Sequence, residues 1–140
     1  MKLGIIGNGF VGNAIAHAFI PFMEVKVYDK DPDKCSGDGF TQGLAGVVND
    51  SDVVFVCVPT PMTSDGLIDL SIVESVFDDI KRLKHPESQT VFVLKSTVTP
   101  GTTRRLTEKY PDINVVFNPE FLTERHARFD FLNQSRIILG

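Results

Sequence analysis

The sequence predicts an α/β domain: a doubly wound, mostly parallel sheet with helices on both faces. Three observations predict it. Apolar strand-like runs alternate with helical patterns almost to the end of the 140 residues. Two of those runs, VVFVCVP from Val53 and TVFVLKS from Thr90, are continuously apolar and rich in β-branched residues, as strands buried on both faces are. The first run leads directly into glycines spaced G-x-G-x-x-G, namely Gly7, Gly9 and Gly12.

That opening stretch organises the rest. Leu3 to Ile6 reads as a strand, and behind the glycines Val11, Ala14, Ile15, Ala18 and Phe19 fall on one helical stripe. Strand, tight turn and helix therefore follow one another. Gly7 permits the sharp turn, Gly9 lets a pyrophosphate approach the backbone, and Gly12 lets helix and strand pack closely. The free N–H groups and positive dipole end of the helix face such a phosphate. The helix stops near Pro21, and a second run, Val25 to Tyr28, ends in Asp29, seventeen residues past Gly12. A carboxylate at this point accepts hydrogen bonds from both ribose hydroxyls and repels a 2′-phosphate, so the expected cofactor is NAD rather than NADP.

After Asp29, DPDKCSGDGF is too polar for a full helix. The 30–50 region is thus expected to be shortened, with a strand turn near Phe40 and a short helix over Leu44 to Val48. Asp52 introduces the next buried strand, which Pro59-Thr60-Pro61 terminates in an extended exit. Thr60 is thereby placed at the carboxyl edge of the sheet, where ligands bind in such folds. Asp65-Gly66 reads as a turn. Asp69 or Ser71 caps a helix with the stripe Ile72, Val73, Val76, Phe77, Ile80 and Leu83. The Thr90 strand ends at Ser96-Thr97. Thr99 as N-cap and Pro100 as first helical residue start a helix that runs to about Tyr110. Asn114 to Phe117 is the next strand, a polar segment follows, and Arg136 to Leu139 reads as a last short strand.

Composition narrows the function classes. The length suits one domain, and the apolar and charged fractions are those of an ordinary globular chain. A net charge of −4 gives no basic footprint for nucleic acid and no reason to expect an anionic membrane as partner. No apolar run approaches a membrane span, and polar residues interrupt the N-terminal apolar stretch too early for a signal peptide. Cys57 reads as a small buried residue and Cys35 as a loop residue without metal-ligand spacing. A metal site is not expected, and the setting expected is the reducing cytoplasm.

Several strand-end segments together resemble the N-terminal, NAD-binding domain of the UDP-glucose/GDP-mannose dehydrogenase family: GNGFVG at 7–12, VPTP at 58–61, KSTVTPGTT at 95–103, NPEFLTE at 118–124 and RIILG at 136–140. They occur in the family's order and span nearly the whole chain. The resemblance implies a Rossmann-like domain over 1–140, with the family's C-terminal substrate domain absent. It also implies oxidation of the C6 hydroxyl of a nucleotide sugar to a carboxylate with two NAD per turnover.

The resemblance carries roles onto individual residues. Phe10 and Val11 lie against the cofactor. Asp29 and Lys34 hold its adenosine end, and Thr60 contacts it from a strand exit. Thr97 sits near the nicotinamide and positions a water. Glu120 resembles the base of the hydrolytic half-reaction. Phe121, Leu122, Thr123 and Glu124 line the sugar site, with Glu124 also reaching the cofactor. The family's cysteine nucleophile, lysine and asparagine do not occur in a matching context here, so the chain is expected to be inactive alone. Self-association, or a separate C-terminal half, is the expected partner, through a face near Phe129, Phe131, Leu132 and the last strand. Two alternatives stay open: a 6-phosphogluconate or β-hydroxyacid type dehydrogenase domain, against which NPEFLTE argues, and a non-catalytic nucleotide-binding or assembly module.

Overall fold

The structure is a computed structural model that describes residues 1–35 and 43–140. The strand turn expected near Phe40 lies outside the described residues. In chain order the elements are β1 (Lys2–Ile6), α1 (Phe10–Phe19), β2 (Glu24–Tyr28), a 3-10 turn (Pro32–Lys34), α2 (Leu44–Asn49), β3 (Val53–Val56), α3 (Ser71–Leu83), β4 (Val91–Leu94), α4 (Thr102–Lys109), β5 (Asn114–Phe117), a second 3-10 turn (Glu124–His126) and α5 (Ala127–Leu132).

The described strands form a five-stranded sheet in the order β2-β1-β3-β4-β5. Every pairing is parallel. Side-chain alternation divides the core between the two faces. Leu3, Ile5, Val25 and Val27 pack with Ile15 and Ala16 of α1, and Phe131 of α5 joins them. Ile6, Val54, Val56, Phe92 and Leu94 point the other way, onto α2, α3 and α4 through Val47, Phe77, Ile80 and Leu106. Gly4 faces this second layer with no room for a side chain, since a Cβ there would lie 2.8 Å from Ser51 Oγ and from Val47.

The chain leaves β1 toward β2 and then crosses back to β3 on the other side of β1. The carboxyl ends of β1 and β3 therefore flank the point where the winding reverses, which is where such sheets open a crevice. Ladder bonds continue one residue past the strands here. Gly7 N–H donates to Tyr28 O (2.8 Å), Cys57 N–H to Ile6 O (2.8 Å), Lys95 N–H to Val56 O (2.9 Å) and Asn118 N–H to Leu94 O (3.0 Å). Gly7, Cys57, Lys95 and Asn118 thus form one row along the sheet's carboxyl edge.

Three local expectations change. The helix expected from Thr99-Pro100 begins at Thr102, because Gly101 before it adopts φ 88°, in the left-handed region. Thr102 N–H instead closes a turn onto Thr99 O at 3.2 Å. No strand forms over Arg136–Leu139; only Gly140 exchanges both backbone bonds with Phe117 (2.6 and 2.9 Å). The segment read as polar contains α5, which lies against α1. Within it Phe131 is not a free apolar residue, since its ring meets Phe19 edge-on with centroids 6.1 Å apart. The exposed apolar residues of this end are Phe129, Leu132, Ile137, Ile138 and Leu139.

Candidate functional site

The glycine turn shows why each glycine is there. Gly7 has φ 97°, and a Cβ on it would stand 2.5 Å from the carbonyl oxygen of Cys57. A Cβ on Gly12 would stand 1.8 Å from Gly7 O, so helix and turn meet backbone to backbone. Gly9 differs: nothing lies within 4 Å of an added Cβ. It is the N-cap of α1, with φ −78° and ψ −160°, and Asn13 N–H makes the first bond back to it at 2.9 Å. The preceding N–H groups of the first turn have no intrahelical acceptor and open onto that space.

Asp29 is locked beside this turn. Its Oδ2 accepts from Asn8 N–H at 2.6 Å and its Oδ1 from Asp31 N–H at 2.8 Å. Each carboxylate oxygen has capacity for a further donor. Asn8 also donates through Nδ2 to Lys34 O at 2.8 Å, which ties the 3-10 turn to the glycines. The Lys34 ammonium lies 3.7 Å from Asp31. Gly7 and Asp29 share a cavity of 660 Å³ with Tyr28, Leu44, Val58 and Ile72.

A smaller cavity of 370 Å³ lies on the other side of the turn. It brings together Gly9, Phe10, Val11, Thr60, Thr97, Glu120 and Glu124, all expected from sequence, with Cys57, Ser96 and Lys95. At its floor the side chain of Lys95 is 1% exposed, and its ammonium lies 2.8 Å from Glu120 Oε2. Lys95 also donates to Asn118 Oδ1 at 3.1 Å, and Asn118 Nδ2 donates to Ile138 O at 2.7 Å. Glu120 Oε1 accepts from the N–H groups of Phe121 (2.7 Å) and Leu122 (3.1 Å). Glu120 is therefore hydrogen-bonded through Oε1, while its buried Oε2 has the Lys95 charge beside it but no hydrogen bond, and Glu124 is exposed where this cavity meets a third.

The third cavity, 640 Å³, shares Gly9, Phe10 and Glu124 with the second and adds Asn8, Asn13, Lys34 and the stretch Arg125 to Phe129. Phe121, Leu122 and Thr123 line none of the three. The backbone of Thr123 instead donates to Asp130 Oδ2 at 2.9 Å and its hydroxyl does so at 2.7 Å. Those bonds hold the Asp130 carboxyl below its ordinary range. Gly12 is buried behind the turn.

Sequence reasoning missed Lys95, Asn118, Asn8, Asn13 and Arg128. Lys95 had one available signal, as the lone charge closing an apolar strand run. The Cys57 thiol is half-buried beside this cavity; desolvation pushes it up to about 12, with Lys95 working in the opposite direction and Glu120 adding to the rise. Cys35 bonds through its sulfur to Asp29 O at 3.1 Å. Among the described residues no three His, Cys, Asp or Glu side chains gather as a metal set. Nor is any helix there long and apolar enough to cross a membrane.

The residues present fit a dinucleotide. The open space at Gly9 leaves room for a pyrophosphate, with the Asp29 carboxylate fixed on one side. On the other side a cavity walled by threonines, Val11 and Phe10 suits a flat polar ring.

Comparison with known proteins gives the same direction. The sequence profile of the UDP-glucose/GDP-mannose dehydrogenase family, NAD binding domain, matches residues 34–140. The UDP-glucose 6-dehydrogenase AglM of Haloferax volcanii is 33% identical over all of this chain, which covers 41% of that relative. A ternary complex of GDP-mannose dehydrogenase from Pseudomonas aeruginosa superposes with a TM-score of 0.86 at 27% identity, covering 100% of this chain and 41% of that one. For a UDP-glucose dehydrogenase from Pyrobaculum islandicum the TM-score is 0.83 at 28% identity, covering 99% of this chain and 40% of the other.

Proposed function

This chain belongs to the UDP-glucose/GDP-mannose dehydrogenase family as its NAD-binding domain, and from that premise we propose that it serves a nucleotide-sugar 6-dehydrogenase, presenting NAD to a C6 hydroxyl that becomes a carboxylate. The observation that carries the reading is the open first turn of α1 at Gly9, beside a fixed strand-end carboxylate, Asp29.

Bound NAD supplies the hydride acceptor. The protein's share is placement. The α1 N–H groups hold the pyrophosphate, and Asp29 takes the ribose hydroxyls, with Lys34 at the same end. Phe10, Val11 and Thr60 wall the nicotinamide side. The Thr97 hydroxyl both donates and accepts, so it orients a water in the 370 Å³ cavity. Glu120 and Glu124 are the groups in that cavity that take a proton from such a water. Phe121 to Thr123 belong to the sugar side through their carbonyl groups and the exposed Phe121 and Thr123, since their N–H groups are taken by Glu120 and Asp130. The charge of Glu120 is compensated by Lys95 at 2.8 Å, which keeps it from drifting into the cleft.

A covalent thioester route needs a thiolate, and neither cysteine offers one: Cys57 is held neutral at physiological pH and Cys35 lines none of the three cavities. We therefore assign the nucleophile, and most of the sugar site, to polypeptide outside these residues, in a second half that docks on the exposed apolar end around Phe129, Leu132 and Leu139. The free thiols fit a cytoplasmic setting. Incubating the purified chain with NAD and UDP-glucose tests this: no NADH is expected, while saturable NAD binding is. NADH formation by the chain alone overturns the division of labour.

A further inference from the structure

The protein is acidic overall, yet the 640 Å³ cavity against the glycine turn carries the opposite sign. Its lining holds Lys34, Arg125 and Arg128, with Glu124 as its one carboxylate, against a net charge of −4 for the whole chain. Arg128 is the best placed of the three. It projects from α5 across to α1, where its Nε and Nη2 donate to Asn13 Oδ1 at 3.1 and 2.8 Å. Asn13 in turn leans on Asn8 Oδ1 at 3.4 Å, and Asn8 is the residue whose N–H is fixed on Asp29.

These bonds pin the guanidinium and leave part of its donor set free. A guanidinium has five N–H donors in a planar fork, two of which are used here. Arg82 and Arg105 hold Asp79 and Glu74; Arg128, like Arg104, Arg125 and Arg136, has no carboxylate partner among the described residues, and of these four it is the one held by a side-chain hydrogen bond, to Asn13. A fixed, unpaired guanidinium beside the unsatisfied N–H groups of a helix start suits a phosphate ester better than any neutral ligand.

We infer that Arg128, positioned by Asn13, is a further cofactor-binding residue that closes over the diphosphate of NAD from the side opposite the sheet. This rests on the NAD reading above. The cavity it lines shares Gly9 and Phe10 with the cavity that holds Thr60 and Thr97, and its other end is Lys34, in the turn behind Asp29. A dinucleotide that spans Asp29 and Thr97 passes Gly9, and there its two phosphate charges meet Arg128. Arg125 and Lys34 add longer-range attraction.

The test is titration of the intact chain with NAD, ADP and adenosine, followed by amide chemical shifts and calorimetry, for the wild type and for Arg128→Gln and Arg128→Lys. Arg128→Gln is expected to weaken NAD and ADP about tenfold or more and to flatten their dependence on salt, with adenosine unchanged. Arg128→Lys, which keeps the charge and loses the fork, falls between. NAD and ADP affinities of Arg128→Gln within twofold of wild type overturn the inference, as does a parallel loss for adenosine, which marks general damage to the α1–α5 packing. Failure of the wild-type chain to bind NAD removes the underlying reading as well, so the two failures are distinguishable.

Discussion

Replacing Gly9 with valine separates folding from binding at the centre of the account. A Cβ at Gly9 meets nothing within 4 Å, and its φ of −78° and ψ of −160° suit any residue. The fold should lose only the small preference for glycine at an N-cap, about 1 kcal/mol or less, which lowers the melting temperature by about 2–4 °C. The side chain fills the space assigned to the pyrophosphate. Losing two charge-assisted hydrogen bonds of about 1.5–3 kcal/mol each weakens NAD by roughly a hundredfold or more. Gly12→Ala is the contrast. Its Cβ would stand 1.8 Å from Gly7 O, so α1 must shift, at a cost of about 1–3 kcal/mol or more and a melting temperature lower by up to about 10 °C. Calorimetric titration with NAD and a thermal melt of each variant decide the matter. Gly9→Val binding NAD within threefold of wild type refutes the reasoning. So does a Gly9→Val melt as depressed as that of Gly12→Ala.

Further outcomes follow from the same geometry. Asp29→Ala should weaken NAD about tenfold or more and narrow the preference over NADP, read by parallel titrations, because the charge that repels a 2′-phosphate is gone. Lys95→Met strands a buried carboxylate and should cost about 3–5 kcal/mol, whereas adding Glu120→Gln should restore much of that; additive losses in the double variant would contradict the pairing. Burial raises Cys57 from 9.0 to about 12, so between those values the folded state holds a proton that the unfolded state releases, and stability falls as pH rises through that window. Cys57→Ala should flatten this alkaline slope in denaturant titrations, and iodoacetamide should alkylate native Cys57 far more slowly than the unfolded chain at pH 8. Leu132→Lys should suppress concentration-dependent association in sedimentation velocity without changing NAD affinity, and a wild-type chain that is monomeric at every concentration, with no complementary half recovered on co-expression, removes the apolar end as a docking face.

What could be read from sequence was whatever local pattern dictates. β3 and β4 were legible because continuous β-branched runs have few alternatives to a buried strand, and the α1 turn because three glycines at fixed spacing sit between a strand and a helical stripe. Thr60 was legible at a strand exit, while Thr97, Glu120 and Glu124 came from the family resemblance, and the structure brings all four to one cavity. The losses are nonlocal. The burial of Lys95 depends on Glu120, 25 residues later across the sheet edge, so neither residue's neighbours reveal it. α5 is helical through tertiary partners, Phe131 on Phe19 and Asp130 on Thr123, in a stretch with little helical signal of its own. Arg136–Leu139 has the composition of a strand but pairs only at Gly140, where Phe117 ends β5. Gly101, which the expected start at Pro100 places inside the helix, delays α4 by taking φ 88°.

The measurement that bears most directly on the central claim is a calorimetric titration of the wild-type chain with NAD and with NADP under identical salt. The account predicts saturable binding of one NAD per chain, with NADP at least tenfold weaker because of the carboxylate of Asp29. No binding of NAD, or NADP bound as tightly, would contradict it.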